Sequence, residues 1–209
     1  MPGVVHIVDD DASFRVAVER QLKYAGYEVR AYSSAEEFLD RLPNEAVASC
    51  ILLDARLSGL SGLELQSRLH ELRSTLPVIF LTGFTDIALT VKAVKAGAHD
   101  FLTKPVSSEE LVQAIERAMA YHQLTYDLKS KLDIIRHRVA LLTPREQQVL
   151  LLIIRGKINK QIAQMLGCTE RTVKAHRQRV MEKMQVHTVA ELVSLAERIG
   201  LGSATGQTT

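Results

Sequence analysis

The segment Cys50-Ile51-Leu52-Leu53-Asp54-Ala55-Arg56-Leu57-Ser58-Gly59-Leu60-Ser61-Gly62 is four apolar residues, one carboxylate, then a loop with no second acid. A short apolar run that stops at a turn-forming stretch reads as a strand buried on both faces. Outward from it, Val4-Val5-His6-Ile7-Val8 and Val78-Ile79-Phe80-Leu81 read the same way, and Glu28 to Tyr32 and Asp100 to Thr103 supply two more strands. Amphipathic stretches lie between them: Ala12 to Ala25, a helix opened by Ser33 and Ser34 with Glu36 and Glu37 in capping-box positions, Gly62 to Leu72, Asp86 to Lys95, and Ser107 to about Tyr121, with Ser107 and Glu110 as a further box. Alternating strands and helices predict an α/β fold: a five-stranded parallel sheet with helices on both faces. Right-handed crossovers then gather the C-terminal strand ends at one edge, where such sheets form sites.

What that edge collects is acidic. Asp9, Asp10 and Asp11 follow the first strand, Asp54 the third, Thr82 and Lys104 the fourth and fifth. Carboxylates brought together repel and raise one another's pKa, which a hard divalent cation relieves; Mg2+ prefers such oxygens and keeps several waters. A carboxylate beside Mg2+ and a lysine can attack a phosphoryl group, with the cations stabilising charge on the transferring oxygens. Asp54, alone at its strand end, is the candidate nucleophile. Asp11 is given no metal role.

The charge is unevenly distributed. Residues 1–120 hold 12 basic and 17 acidic side chains, residues 121–140 hold 4 and 2, and residues 141–209 hold 10 and 5, so a net charge of +2 joins an acidic half to a basic one. That asymmetry makes nucleic acid a candidate partner for the second half. With aromatics at 5% and no Trp, base stacking is not its main binding mode. Cys50 and Cys168 lack metal-ligand spacing and read as reduced thiols. No apolar run reaches a membrane span and no signal peptide is visible, so a cytoplasmic location without membrane contact is expected.

Leu124, Leu128, Leu132, Ile135 and Val139 keep helical spacing, as a linker or a short partner-binding stripe. Thr143-Pro144-Arg145-Glu146 opens a new helix with a capping box and Pro at the first position. Four helices are predicted, over about 144–155, 158–166, 170–184 and 188–198. The second runs into Gly167-Cys168 as a turn, and Thr169 caps the third, which is the signature of a helix-turn-helix. On that third helix Val173, Val180 and Met184 face inward, with His176 or Arg177 partly covering them, while Arg171, Lys174, Ala175 and Gln178 share the outer face. Lys or Arg suits guanine, Gln adenine, and Ala a thymine methyl. Lys160, Arg177 and Arg179 are phosphate-contact candidates, and Thr172 belongs to the same interface.

Val8-Asp9-Asp10, Leu53-Asp54, Leu81-Thr82-Gly83, Lys95-Ala96-Gly97-Ala98 and Phe101-Leu102-Thr103-Lys104-Pro105 resemble the receiver domain of response regulators, flavodoxin-like (CheY-like) in fold. Leu142-Thr143-Pro144-Arg145-Glu146, Val149-Leu150, Gly156, Asn159-Lys160, Ile162-Ala163, Leu166, Thr172-Val173-Lys174, His176-Arg177 and Lys183-Met184 resemble the four-helix LuxR-type helix-turn-helix of the FixJ and NarL family. The resemblance implies a receiver over 1–121, a helical linker over 122–140, a DNA-binding domain over 141–202 with its motif from Asn159 to Gln178, and a tail over 203–209. It further implies Asp54 as phosphoacceptor for a sensor histidine kinase. Mg2+ would be held by Asp10, by Asp9 nearby, by Asp54 and by the Arg56 backbone carbonyl. Thr82 and Lys104 would contact the phosphoryl group, Phe101 would be the aromatic switch, and the Lys104-Pro105 peptide would be cis. Phosphorylation would drive homodimerisation or domain release, binding to DNA half-sites, and contact with RNA polymerase. One departure stands out: Ser58 occupies a place where the family usually has Pro, which predicts a more flexible loop. An aspartyl-phosphate hydrolase is the rival enzyme reading, but Asp54-Ala55-Arg56 lacks the second Asp of such a phosphatase, so no enzyme activity is expected. A constitutive DNA-binding regulator, with the receiver as an interaction module, is the other rival.

Overall fold

The computed structural model describes residues 3–83 and 95–201 of the 209. The helix expected over Asp86 to Lys95 lies almost entirely outside the described residues, as does the expected tail. Strands β1 (Val4–Val8), β2 (Glu28–Tyr32), β3 (Ser49–Asp54), β4 (Val78–Gly83) and β5 (Asp100–Lys104) form one sheet in the order β2-β1-β3-β4-β5, every pairing parallel. The order reverses between β1 and β3, so the crevice beyond their C-terminal ends is the topological switch point.

The two faces of the sheet are separately packed. Val5 and Ile7 of β1, Cys50 and Leu52 of β3, and Ile79 and Leu81 of β4 face one core, with Val18 and Leu22 of helix α1 (Ala12–Tyr24) and Leu111, Ile115 and Ala118 of helix α4 (Ser108–Ala140). Their alternates Val8, Ile51, Leu53, Val78 and Phe80 face the other, against Phe38 of α2 (Ala35–Asp40) and Leu65 and Leu69 of α3 (Gly62–Glu71). Burial on both faces explains why β1, β3 and β4 read as unbroken apolar runs. His6 sits among the buried positions, its Nδ1 3.3 Å from the Tyr32 hydroxyl and its ring edge-on to Phe38.

Side chains set the helix starts. Asp11 caps α1, accepting from the Ser13 and Phe14 amides, and Ser61 and Glu64 close a capping box on α3. At α2 the box is displaced by one residue: Ser34 accepts from the Glu37 amide, while the Glu37 carboxylate reaches back to Ser33. Ser107 and Glu110 open α4, which runs 33 residues and so joins the helix expected to about Tyr121 to the helically spaced linker after it.

Contacts divide the chain into two units, Met1–Asp127 and Leu128–Thr209. The second contains α5 (Pro144–Ile154), α6 (Asn159–Leu166), α7 (Glu170–Met184) and α8 (Val189–Arg198) around Val149, Leu150, Ile153, Ile162, Val173, Val180, Met184 and Leu192. Ile135 and Val139 from the last turns of α4 join that core. Gly167, at φ 62, ends α6 in the left-handed region, and the Cys168 amide returns to the Ala163 carbonyl. Thr169 then caps α7 by accepting from the Thr172 amide. Cys50 is fully buried and Cys168 half-buried in this turn; both are free thiols. No helix among the described residues is long and apolar enough to cross a membrane.

Candidate functional site

The C-terminal strand edge brings Asp9, Asp10 and Asp54 together, with one carboxylate oxygen from each within 4.8 Å of the others. Lys104 completes the cluster from the end of β5, its Nζ 2.6 Å from Asp9 Oδ2 and 2.6 Å from Asp54 Oδ2. The Lys104 ammonium also lies 4.0 Å over the Phe14 ring, which confines it on the side facing α1. Asp9 is fully buried, Asp54 is 15% exposed and Asp10 is open to solvent. Backbone donors orient the first two: the Asp11 amide to Asp9 Oδ1 and the Arg56 amide to Asp54 Oδ1, each 2.8 Å.

The acids are electrostatically distinct. Burial raises the Asp9 pKa, although hydrogen bonds from Lys104 and Asp11 oppose it. Hydrogen bonds from the Ser58 hydroxyl and then its amide lower that of Asp10. For Lys104 burial disfavours the charge, yet its bonds to Asp54 and Asp9 outweigh this and raise its pKa. A buried acid and an exposed, ionised one flanking Asp54, with a charged lysine opposite, form an oxygen-rich pocket that fits a hard cation on one side and an anionic group on the other.

Thr82 is buried at the end of β4, its hydroxyl 3.4 Å from the Gly83 carbonyl. Phe101 is half-buried and stacks on Phe80 with centroids 6.3 Å apart. The Lys104-Pro105 peptide is cis. Ser58 is hydrogen-bonded into the site. Its amide (3.0 Å) and hydroxyl (2.5 Å) both donate to Asp10 Oδ2, and the Leu60 amide donates to Glu36 of α2. A proline could make neither Ser58 bond, so the substitution adds anchors to the loop. This pairing, across 48 residues, carries no local sequence signal.

In the second unit, Arg171, Thr172, Lys174, Ala175, Gln178 and Arg179 are all exposed on α7, and Lys160 is exposed on α6. Val173, Val180 and Met184 are buried on the opposite side. Arg177 is half-buried and lines a cleft with Ile153, Ile158 and Val189. Gln178 Nε2 donates to Glu182 Oε1 at 2.9 Å, which leaves its second N–H and its Oε1 open for a base. Glu146 was legible as a cap but not as an ion-pair partner: it is 2% exposed and bonded by Lys183 Nζ at 2.7 Å.

Residues 5–116 match the response regulator receiver domain, and residues 140–196 match the bacterial regulatory proteins of the luxR family. The chain belongs to the response regulator family. Response regulator protein TodT of Pseudomonas putida is 39% identical over 94% of this chain and 86% of its own length. Transcriptional regulatory protein FixJ of Bradyrhizobium diazoefficiens is 38% identical over 95% and 97%. Among solved structures, the response regulator StyR is 40% identical with a TM-score of 0.79, covering 95% of this chain and 100% of that one. Full-length FixJ from B. japonicum is 38% identical with a TM-score of 0.57, over 95% and 98%. This response regulator is therefore a two-component, DNA-binding transcription regulator of the FixJ type, not an enzyme. Its receiver domain implies a sensor kinase partner, and its luxR-family domain implies DNA.

Proposed function

We propose that Asp54 is the phosphoacceptor of this response regulator and that Mg2+ is held by Asp10, Asp9, Asp54 and the Arg56 carbonyl. The observation that carries this is the convergence of three carboxylates within 4.8 Å, with Lys104 bonded to both Asp9 and Asp54. An Asp54 oxygen forms a bond to phosphorus as the phosphorus–nitrogen bond of the kinase phosphohistidine breaks, and the imidazole leaves with a proton. When bound, Mg2+ supplies charge neutralisation on the transferring oxygens. Lys104 exchanges its Asp54 bond for a phosphoryl oxygen. The Thr82 hydroxyl, weakly placed on Gly83 at 3.4 Å, turns to another. Phe101 repacks as Thr82 moves, and this surface change favours a homodimer or releases the DNA-binding domain. Two copies then place α7 in successive major grooves of paired half-sites, with Arg171, Thr172, Lys174, Ala175 and Gln178 at bases and Lys160, Arg177 and Arg179 at phosphates. Bound there, the dimer contacts RNA polymerase.

The test is phosphoryl loading by acetyl phosphate with Mg2+, read by intact mass, beside a gel-shift titration. Wild type gains one phosphoryl mass and binds its operator more tightly. Asp54→Asn gains no mass and shows no activation; activation equal to wild type would overturn the assignment.

A further inference from the structure

We infer that Ser58 is a latch on the Oδ2 atom of Asp10, which a divalent cation taking that oxygen has to open. This rests on the reading of Asp10 as a cation ligand. The Asp10 Oδ2 atom accepts two hydrogen bonds from the same residue, one from the Ser58 amide and one from its hydroxyl. A carboxylate oxygen has two in-plane lone pairs, so both are occupied by Ser58. A cation that takes this oxygen must displace at least one donor, and hydroxyl and cation cannot both use the same lone pair. Neither bond is available to a proline, which has no N–H and no hydroxyl. Ser58 is exposed, so its released hydroxyl passes to water. Elsewhere the loop stays anchored: the Arg56 amide remains on Asp54 and the Leu60 amide on Glu36. Opening is therefore confined to Ser58 and its neighbours. Ser58 acts as a positioning residue: it opposes cation entry and couples the middle of the β3–α3 loop to whether the site is filled.

The test uses the full-length chain. Mn2+ affinity is measured by electron paramagnetic resonance of the free ion, and Mg2+ affinity by calorimetry, for wild type, Ser58→Ala, Ser58→Pro and Asp10→Asn. Hydrogen exchange of the Ser58 amide is followed with and without Mg2+. A solvent-exposed net hydrogen bond corresponds to a factor of about three to ten, so Ser58→Ala binds both ions tighter by about that factor. Ser58→Pro binds at least as tightly, and Mg2+ speeds exchange of the wild-type Ser58 amide. Equal or weaker binding by Ser58→Ala overturns the latch while leaving the metal site intact. If wild type holds no Mn2+, or Asp10→Asn binds as well as wild type, the ligand assignment itself fails and takes the latch with it.

Discussion

Two buried ionisable side chains make this molecule sensitive to acid in separable ways. Glu146 accepts from Lys183 and from the Thr143 amide, and these bonds hold its pKa at about 2, against an ordinary 4.5. Its stabilising contribution is complete above pH 4.5 and is lost as pH falls toward 2. Because Lys183 is 35% exposed, water screens part of the pair; Glu146→Gln should cost the second unit about 2 kcal/mol at neutral pH. Urea unfolding at neutral pH and at pH 3 checks this: the variant's deficit should shrink in acid. His6 behaves differently. Burial, then the charge of Arg30, lowers its pKa from 6.5 to about 4. The unfolded chain takes up that proton first, so receiver stability falls as pH drops from 6.5 to 4, by up to about 3 kcal/mol. His6→Phe should flatten the pH profile across that window, and an unchanged slope would assign the loss to other groups.

Gly62 and Gly167 show how elements are held in place. A Cβ on Gly62, the first residue of α3, would lie 2.6 Å from the Asp54 carbonyl oxygen and 3.0 Å from Phe80. Backbone cannot yield cheaply there, so Gly62→Ala should destabilise the receiver by about 1–3 kcal/mol and displace Asp54, weakening Mn2+ affinity as well. At Gly167 the space is open and only the left-handed backbone matters. Gly167→Ala should cost about 1 kcal/mol, with Gly167→Asn costing less, measured as the melting temperature of the second unit. The elements themselves were largely legible. β1 and β2 match their expected ends, and β3 and β4 extend theirs by one or two residues, because doubly buried strands and side-chain caps are local signals. The clustering of Asp9, Asp10, Asp54 and Lys104 was legible too, since strand ends in a parallel sheet share one edge. Partners distant in sequence were not legible: Ser58 with Asp10, Glu36 with Leu60, Lys183 with Glu146. The continuity of α4 was hidden by its pattern, whose apolar positions serve the first core at Leu111, Ile115 and Ala118 and a second at Ile135 and Val139.

Across the whole chain, each unit has its own core, so unfolding is expected in two steps, with Glu146→Gln moving only one of them. Calorimetry of wild type and variant checks this; a single transition displaced as a whole would mean that the units unfold together. Operator binding should weaken steeply with salt, because the excess of basic over acidic side chains lies in the second unit and each phosphate contact releases counterions. Arg179→Ala should lower the salt slope by about one with base preference unchanged. Lys174→Ala should cost about 1–3 kcal/mol and relax preference at one base pair, read from binding to a panel of single-base operator variants. The two thiols have a separate practical consequence. Burial pushes the Cys50 thiol far above its ordinary pKa, while Cys168 sits half-exposed in the turn before α7. A disulfide reagent should therefore modify Cys168 within minutes and reach Cys50 only when the receiver sheet opens. The chain thus carries an internal clock, the lag between its first and second labelling, that times receiver opening without a denaturant.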